Sequence, residues 1–456
     1  MMTRQRPNIL LFFTDQQRWD CSGLHGNPLD LMPNFDRLAT RGTHLEHCFT
    51  CQPVCGPARA CIQTGQYAST NGSWHNGIPL ARNVPRLAEL FNEAGYHTGY
   101  IGKWHLAGNE LGAVPEEERG GYREWLASNT LEYTSNAYDT VMWDGDNREV
   151  HLPGYRVDAC TDAMIRFLDR NREDPFLLMT SFIEPHHQNH IDDYPPPDGY
   201  RERYAGRWVP PDLAALGGST QQHLGGYYGM VKRLDEALGR VVDALKSLRM
   251  LEHTIILFLS DHGCHFKTRN SEYKRSCHES SIRVPSMLHG GPFTGGGTVQ
   301  ELVSLIDLPP TLLDAAGIEV PPHMQGRSIL PLVDRKAAPE WPGEVFFETS
   351  EAEIGRGIRT RDWKYHVVAD PQHHDGRGGA AEYREAFLYD MNADPYELCN
   401  LAGVESHREL SDALQERLQQ RVEAAGQPRL TIRPAEPCNL GQRVLKPDPL
   451  DHPGRP

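Results

Sequence analysis

The chain has 456 residues, 39% of them hydrophobic and 23% charged, enough apolar material for a large core and too much for a disordered chain. Its formal charge of −15 argues against nucleic acid or an anionic membrane surface as a partner, since both are bound by neutralising phosphate. No apolar run approaches the roughly 20 residues of a membrane span, and the run Ile9–Phe13 is too short for a signal peptide, so a cytoplasmic protein is expected.

Asn8–Phe13 is a continuous apolar run ending in Thr14-Asp15-Gln16, the pattern of a buried strand with polar residues at its C-terminal end. Helices are expected over Pro33–Thr40 and Val84–Ala94, then a strand over Thr98–Ile101 that ends in Gly102-Lys103-Trp104-His105. A helix over Ala159–Arg170 precedes the strand Phe176–Phe182, which runs into Glu184-Pro185-His186-His187. Met230, Leu234, Leu238, Val241, Leu245 and Leu248 fall at helical spacing within Gln221–Leu248. The strand Thr254–Leu259 follows and ends in Ser260-Asp261-His262-Gly263. This alternation, which continues to Gly317, predicts an α/β fold with a doubly wound, largely parallel sheet and helices on both faces.

Residues 1–340 therefore read as one catalytic domain. Residues 341–426 read as a smaller α+β subdomain, with strands at Glu344–Thr349, Gly357–Val368 and Ala386–Asp390 and a helix over His407–Ala424. The Pro-rich tail 427–456 is expected to lie extended over the surface or against a second copy, which allows a homo-oligomer.

In a doubly wound sheet the C-terminal strand ends meet along one edge. That edge would gather Asp15, Gln16, Lys103, His105, His186, Asp261 and His262. Asp15, Gln16, Asp261 and His262 make an oxygen-rich set with one imidazole, suited to a divalent cation that needs further ligands. Taken singly, each acid reads equally well as a cap or turn residue.

Ten cysteines fall short of disulfide-scaffold density, and free thiols are expected, but Cys48, Cys51, Cys55 and Cys61 cluster. In Cys55-Gly56-Pro57-Ala58-Arg59, Pro57 suits the first turn of a helix and puts Cys55 at its N-terminus. There the dipole favours an anion and lowers a thiol pKa, with Arg59 one turn on. The alternatives are four buried thiols or a zinc knot on Cys48-x-x-Cys51, which lacks a second Cys-x-x-Cys hairpin.

Cys55-x-Pro57-x-Arg59 followed by Thr64-Gly65 resembles the signature of the type I, formylglycine-dependent sulfatases of the alkaline phosphatase superfamily. Pro7-Asn8-Ile9 leading to Asp15, Gly102-Lys103-Trp104-His105-Leu106, Pro185-His186 and Ser260-Asp261-His262-Gly263 match in order. Lys274, His278-Glu279, Arg283-Val284-Pro285, Leu388-Tyr389-Asp390 and Asp394-Pro395-Tyr396-Glu397 through Leu401 extend the resemblance over residues 7 to 401.

The resemblance implies an alkaline-phosphatase-like fold and hydrolysis of a small anionic sulfate ester. It implies a formylglycine nucleophile made from Cys55 by a formylglycine-generating enzyme. Asp15, Gln16, the modified Cys55, Asp261 and His262 would ligate one divalent cation, Ca²⁺ first and Mn²⁺ or Mg²⁺ after it. Arg59 would help activate the attacking hydroxyl, and His105 would be the base that lets the second hydroxyl expel sulfate. Lys103 and Lys274 would hold sulfate oxygens, and Lys274 or His186 would protonate the leaving oxygen. Asn76 would contact the bound anion, while His187 and Arg269 would line the substrate pocket. His187, His190, His265 and His278 each read also as structural or lining residues. The segments Gln188–Tyr204 and Phe266–Ser276, polar and without an aromatic stripe, point to a sulfated sugar.

Gln16 stands where many sulfatases carry Asp, Ala58 where Ser is common, and His262 where Asn is common. These departures resemble the phosphonate monoester hydrolases and phosphodiesterases, so a phosphoester or phosphonate hydrolase is the second reading. A third is an unmodified, silent protein that binds sulfated glycans. Retention of Asp15, Cys55, Arg59, Lys103, Asp261 and Lys274 in motif positions argues against it.

Overall fold

The computed structural model describes residues 6–295, 297–334 and 340–438. Among them, ten strands form one sheet: β1 (Asn8–Thr14), β2 (Thr43–Phe49), β3 (His97–Lys103), β4 (Glu124–Ser128), β5 (Thr140–Asp144), β6 (Glu149–Leu152), β7 (Phe176–Ser181), β8 (Thr254–Ser260), β9 (Ser286–His289) and β10 (Thr298–Ser304). Their order is β10-β2-β9-β8-β1-β7-β3-β4-β5-β6. The central run β8-β1-β7-β3-β4 is parallel throughout. The margins are not, because β9 runs antiparallel to both β8 and β2, and β5 to both β4 and β6. The largely parallel sheet expected from the sequence is present as a mixed sheet with a parallel centre.

Continuous apolar strands follow from burial on both faces. Leu10 and Phe12 of β1, Phe176 and Leu178 of β7, and Ile256 and Phe258 of β8 enter one core, with the helices Arg156–Arg170 and Thr220–Ser247. Ile9, Leu11, Phe13, Leu177, Met179, Ile255 and Leu257 enter the other, with Cys55–Thr64, Leu87–Glu93 and Leu308–Ala315. Each fully buried side chain of this kind contributes about 1.5–3 kcal/mol, so period-two alternation in a few strands holds three layers together.

The small sheet contains β11 (Glu344–Thr349), β12 (Gly355–Thr360), β13 (Trp363–Ala369), β14 (Glu382–Asp390) and β15 (Thr431–Arg433), in that order. The single strand expected over Gly357–Val368 is a hairpin, because Arg361-Asp362 turns the chain and β12 pairs antiparallel with β13. The helix Arg408–Ala424 covers one face through Leu414, Leu418 and Val422. Of the tail, Thr431–Arg433 pairs parallel with β14, while residues 439–456 lie outside the described residues. Among the described residues, no helix is long and apolar enough to cross a membrane.

Candidate active site

Because β8, β1, β7 and β3 are consecutive neighbours, their C-terminal ends set Asp261-His262, Asp15-Gln16, His186 and Lys103 side by side. Gly102 makes the last step possible. Its φ is 104°, and a Cβ there would lie 2.0 Å from the Ser181 carbonyl oxygen, so a larger residue would part β3 from β7 just before Lys103.

The helix Cys55–Thr64 has all ten residues buried, begins at Cys55 as expected, and ends on Gly65 at φ 66°. Its first turn has no side-chain cap from Val54; instead Asn76 Oδ1 accepts the Gly56 N–H at 2.9 Å. Asn76 is therefore at the mouth of the helix, occupied in holding it.

The Cys55 sulfur is the focus of the site. Lys274 Nζ is 2.8 Å away, His262 Nε2 3.2 Å and Asp15 Oδ1 3.4 Å. Burial opposes a thiolate there, but Lys103, Lys274 and His262 outweigh it and hold the Cys55 pKa well below that of an ordinary thiol. Burial and the Cys55 sulfur likewise press the Asp15 pKa upward, yet Lys103, His186 and Lys274 keep it far below the usual carboxylate range. Asp261 is pushed up to about 7 by burial and by Asp15.

Ligand atoms of Asp15, Cys55, Asp261 and His262 all lie within 4.8 Å of one another, and all four residues are buried. His262 Nδ1 faces the Gly263 carbonyl at 2.9 Å, which turns Nε2 toward Asp15 and Asp261, where it could ligate a cation. Gln16, at φ 67°, donates from Nε2 to the Tyr194 hydroxyl at 2.8 Å, which leaves its Oε1 buried and without a partner. Two carboxylates, one imidazole and an orphaned amide oxygen fit a hard divalent cation. Among the described residues this is the one such group, and it includes no cysteine of the cluster besides Cys55. The zinc knot has no support, and Cys48, buried, has its thiol pKa pushed up to about 12.

Arg59 does not point at the sulfur. Its Nη2 pairs with Asp15 Oδ2 at 2.9 Å and Asp261 Oδ2 at 3.3 Å, and Nη1 donates to the Lys103 carbonyl and Ser181 Oγ. Lys103, fully buried, pairs with Asp15 at 2.9 Å and with Glu132 at 2.8 Å. His105 Nδ1 is 4.0 Å from the same Glu132 carboxylate. His186 faces the His187 carbonyl through Nδ1 at 2.6 Å and Lys274 Nζ through Nε2 at 3.1 Å. His187 stacks on His186 with ring centroids 4.3 Å apart and meets Tyr273 at 4.4 Å. Arg269 is placed otherwise than expected: its two terminal nitrogens donate to the carbonyls of Tyr396 and Glu397, both at 2.8 Å, which makes it a cross-link to the small subdomain.

A family profile described as Sulfatase matches residues 7–318. The chain belongs to the sulfatase family. A second profile, N-sulphoglucosamine sulphohydrolase, C-terminal, matches residues 271–424 of this sulfatase. An ulvan-active sulfatase of Formosa agariphila is 28% identical over 439 residues, covering 92% of this chain and 82% of the relative. An N-acetylglucosamine-6-O-sulfatase of Bacteroides thetaiotaomicron is 26% identical over 502 residues, covering 90% and 86%. A structure solved in complex with its substrate D-glucosamine-2-N,6-O-disulfate superposes with a TM-score of 0.76 at 24% identity, covering 92% of this chain and 98% of that one, a likeness of fold. This sulfatase is accordingly a sulfuric ester hydrolase with an alkaline-phosphatase-like fold.

Sequence reading missed three partners of the site: Glu132, Ser181 and Tyr194. Glu132 follows β4, whose Glu124-Trp125-Leu126-Ala127-Ser128 shows only a weak alternation. Ser181 and Tyr194 carry no signal beyond their neighbours, since their role exists only through Arg59 and Gln16.

Proposed function

We propose that this sulfatase cleaves the sulfate ester of a sulfated carbohydrate, through a formylglycine made from Cys55 and one divalent cation, calcium first. The observation that carries the reading is the Cys55 sulfur held between Lys274 and the Asp15–Asp261–His262 group. Asp15, Gln16, Asp261 and His262, with the modified residue 55, would hold the cation, which as a Lewis acid lowers the pKa of a hydroxyl and stabilises charge on sulfate oxygens. A hydrated formylglycine offers two hydroxyls, one to attack sulfur and a second whose deprotonation expels sulfate and restores the aldehyde.

The chain's own groups supply the rest. Lys103, fixed between Asp15 and Glu132, presents its ammonium to a sulfate oxygen. His186 Nδ1 donates to a carbonyl, so its Nε2 accepts from Lys274, and the pair holds one transferable proton for the leaving oxygen. His105, with Nδ1 4.0 Å from Glu132, would take the proton of the second hydroxyl. Arg59 neutralises the outer oxygens of Asp15 and Asp261 and keeps both carboxylates aligned.

A carbohydrate leaving group is supported by the named substrates of the two relatives and by the polar wall beyond His187. Tyr273 donates to Asp192 at 2.9 Å, and Asp192 pairs with Lys267 at 2.8 Å. Asp193 pairs with Arg201 at 2.7 Å.

The test is the mass of the tryptic peptide Gly42 to Arg59 from the native host, with a substrate panel. The reading expects a peptide lighter by the difference between cysteine and formylglycine, and release of sulfate from mono- or disaccharide sulfates. An unmodified Cys55 in a competent host would withdraw the covalent mechanism. A phosphonate monoester or phosphodiester preferred over every sulfate ester would overturn the substrate class.

A further inference from the structure

The loop from β11 to β12 leaves the small sheet and reaches the rim of the site through Asn76. Its Glu351 takes a left-handed backbone, φ 67°, and its side chain is 18% exposed. One carboxylate oxygen accepts the Asn76 N–H at 2.7 Å, and the other pairs with Arg275 Nη2 at 2.5 Å. Both partners lead directly to the nucleophile. Asn76 caps the helix that starts at Cys55, and Arg275 follows Lys274, whose Nζ is 2.8 Å from the Cys55 sulfur.

The loop has firm footing. Glu348 N–H donates to the Cys51 carbonyl at 2.8 Å, and Gln52 Nε2 donates to Ser350 Oγ and to the Trp74 carbonyl, both at 2.6 Å. On its own loop Arg275 has a longer pairing, 3.4 Å to Glu272. One carboxylate from the small subdomain therefore joins the two walls between which Cys55 sits.

We propose that Glu351 is a positioning residue: acting through Arg275 and Asn76, it sets Lys274 against residue 55 and so governs protonation of the leaving oxygen. This rests on the roles assigned above to Cys55 and Lys274. Its consequence depends on the leaving group. A sugar alkoxide needs a proton as the ester bond breaks, whereas a nitrophenolate leaves without one. Loss of the clamp should therefore fall on sugar sulfates and spare activated aryl sulfates, which damage to the fold would not do.

The experiment compares wild type, Glu351→Ala, Glu351→Gln and Arg275→Ala, each with conversion of Cys55 checked by peptide mass. kcat and KM are measured on the best sugar sulfate and on 4-nitrophenyl sulfate, and hydrogen exchange on peptides covering 71–77 and 270–277. Glu351→Ala should lower kcat on the sugar sulfate by about 10- to 100-fold, the scale of a small misplacement of a reacting group. KM and the aryl sulfate rate should stay within about threefold, and exchange should quicken in both segments. Glu351→Gln, which still accepts from Asn76, should recover slow exchange at 71–77 and part of kcat. Arg275→Ala, which serves also if the alanine variant fails to fold, should show the same leaving-group dependence with exchange at 71–77 unchanged. Equal losses on the two esters, no loss on either, or unchanged exchange in both segments would overturn the proposal. If wild type turns over neither ester, the assigned function fails instead, and the exchange measurement alone decides whether the clamp exists.

Discussion

The loop 263–278 runs between two buried clusters of charge that are built differently. On one side Lys274 meets Cys55 of the ligand group formed with Asp15, Asp261 and His262. On the other, where the two sheets join, Lys364 lies between Glu279 and Glu397, and Arg359 Nε reaches Glu279 at 3.0 Å. Burial opposes charge on Glu279, yet Lys364, Arg359 and Arg283 hold its pKa well below the ordinary range. In the site Gln16 Oε1, Glu132 Oε2 and His105 Nδ1 have no hydrogen-bond partner, and burial together with the Asp15 carboxylate pushes the Asp261 pKa up; in the seam Glu279 Oε2 also accepts no hydrogen bond but lies 3.9 Å from Arg283 Nη1. The seam answers its carboxylates with cations of the chain, whereas the site packs two carboxylates, a thiol sulfur and an imidazole together as a ligand group.

Breaking the site should therefore cost turnover, and breaking the seam should cost stability. Cys55→Ala is expected to lower turnover by at least about 10⁴-fold with the thermal midpoint little moved, measured by steady-state kinetics and a circular dichroism melt. A residual rate within tenfold of wild type would detach the nucleophile from this residue.

Lys364→Met leaves two buried carboxylates without their shared ammonium, with an expected loss of about 3–5 kcal/mol in denaturant unfolding and turnover per folded molecule retained. Unchanged stability would mean the seam is no stronger than a surface pair.

Chelation is expected to abolish activity and lower the melting temperature, with both restored by a divalent cation. Free cation at 100 times its Kd adds about 2.7 kcal/mol, so melts across a cation series check the assignment. Activity and melting that ignore chelation would break it. Arg269→Ala removes two partly buried hydrogen bonds to carbonyls and should cost about 1–3 kcal/mol with KM unchanged. A raised KM at full stability would return Arg269 to the substrate wall.

The site residues that end central strands were legible because a buried strand announces itself twice, by its apolar run and by the polar residues where it stops. Asn8–Phe13 into Asp15 and Thr254–Leu259 into Asp261-His262 are of this kind, and the structure sets those ends next to each other. The strands β4, β5 and β6, which run out to one edge of the sheet, are shorter and partly exposed, with no such contrast, and Glu132 was lost with them.

Residue order alone thus determined the parallel centre of the sheet, the helix that begins at Cys55, and the convergence of Asp15, Lys103, His186, Asp261 and His262, because strand burial and helix capping are local in their chemistry. Tertiary structure decided which way each side chain is spent. It turned Arg59 onto two carboxylates, gave Gln16 to Tyr194, sent Arg269 into the seam and brought Glu351 against Asn76 and Arg275. Those partners lie 44 to 275 positions apart in the chain, and no periodicity or spacing records a contact that forms only when the sheets have packed.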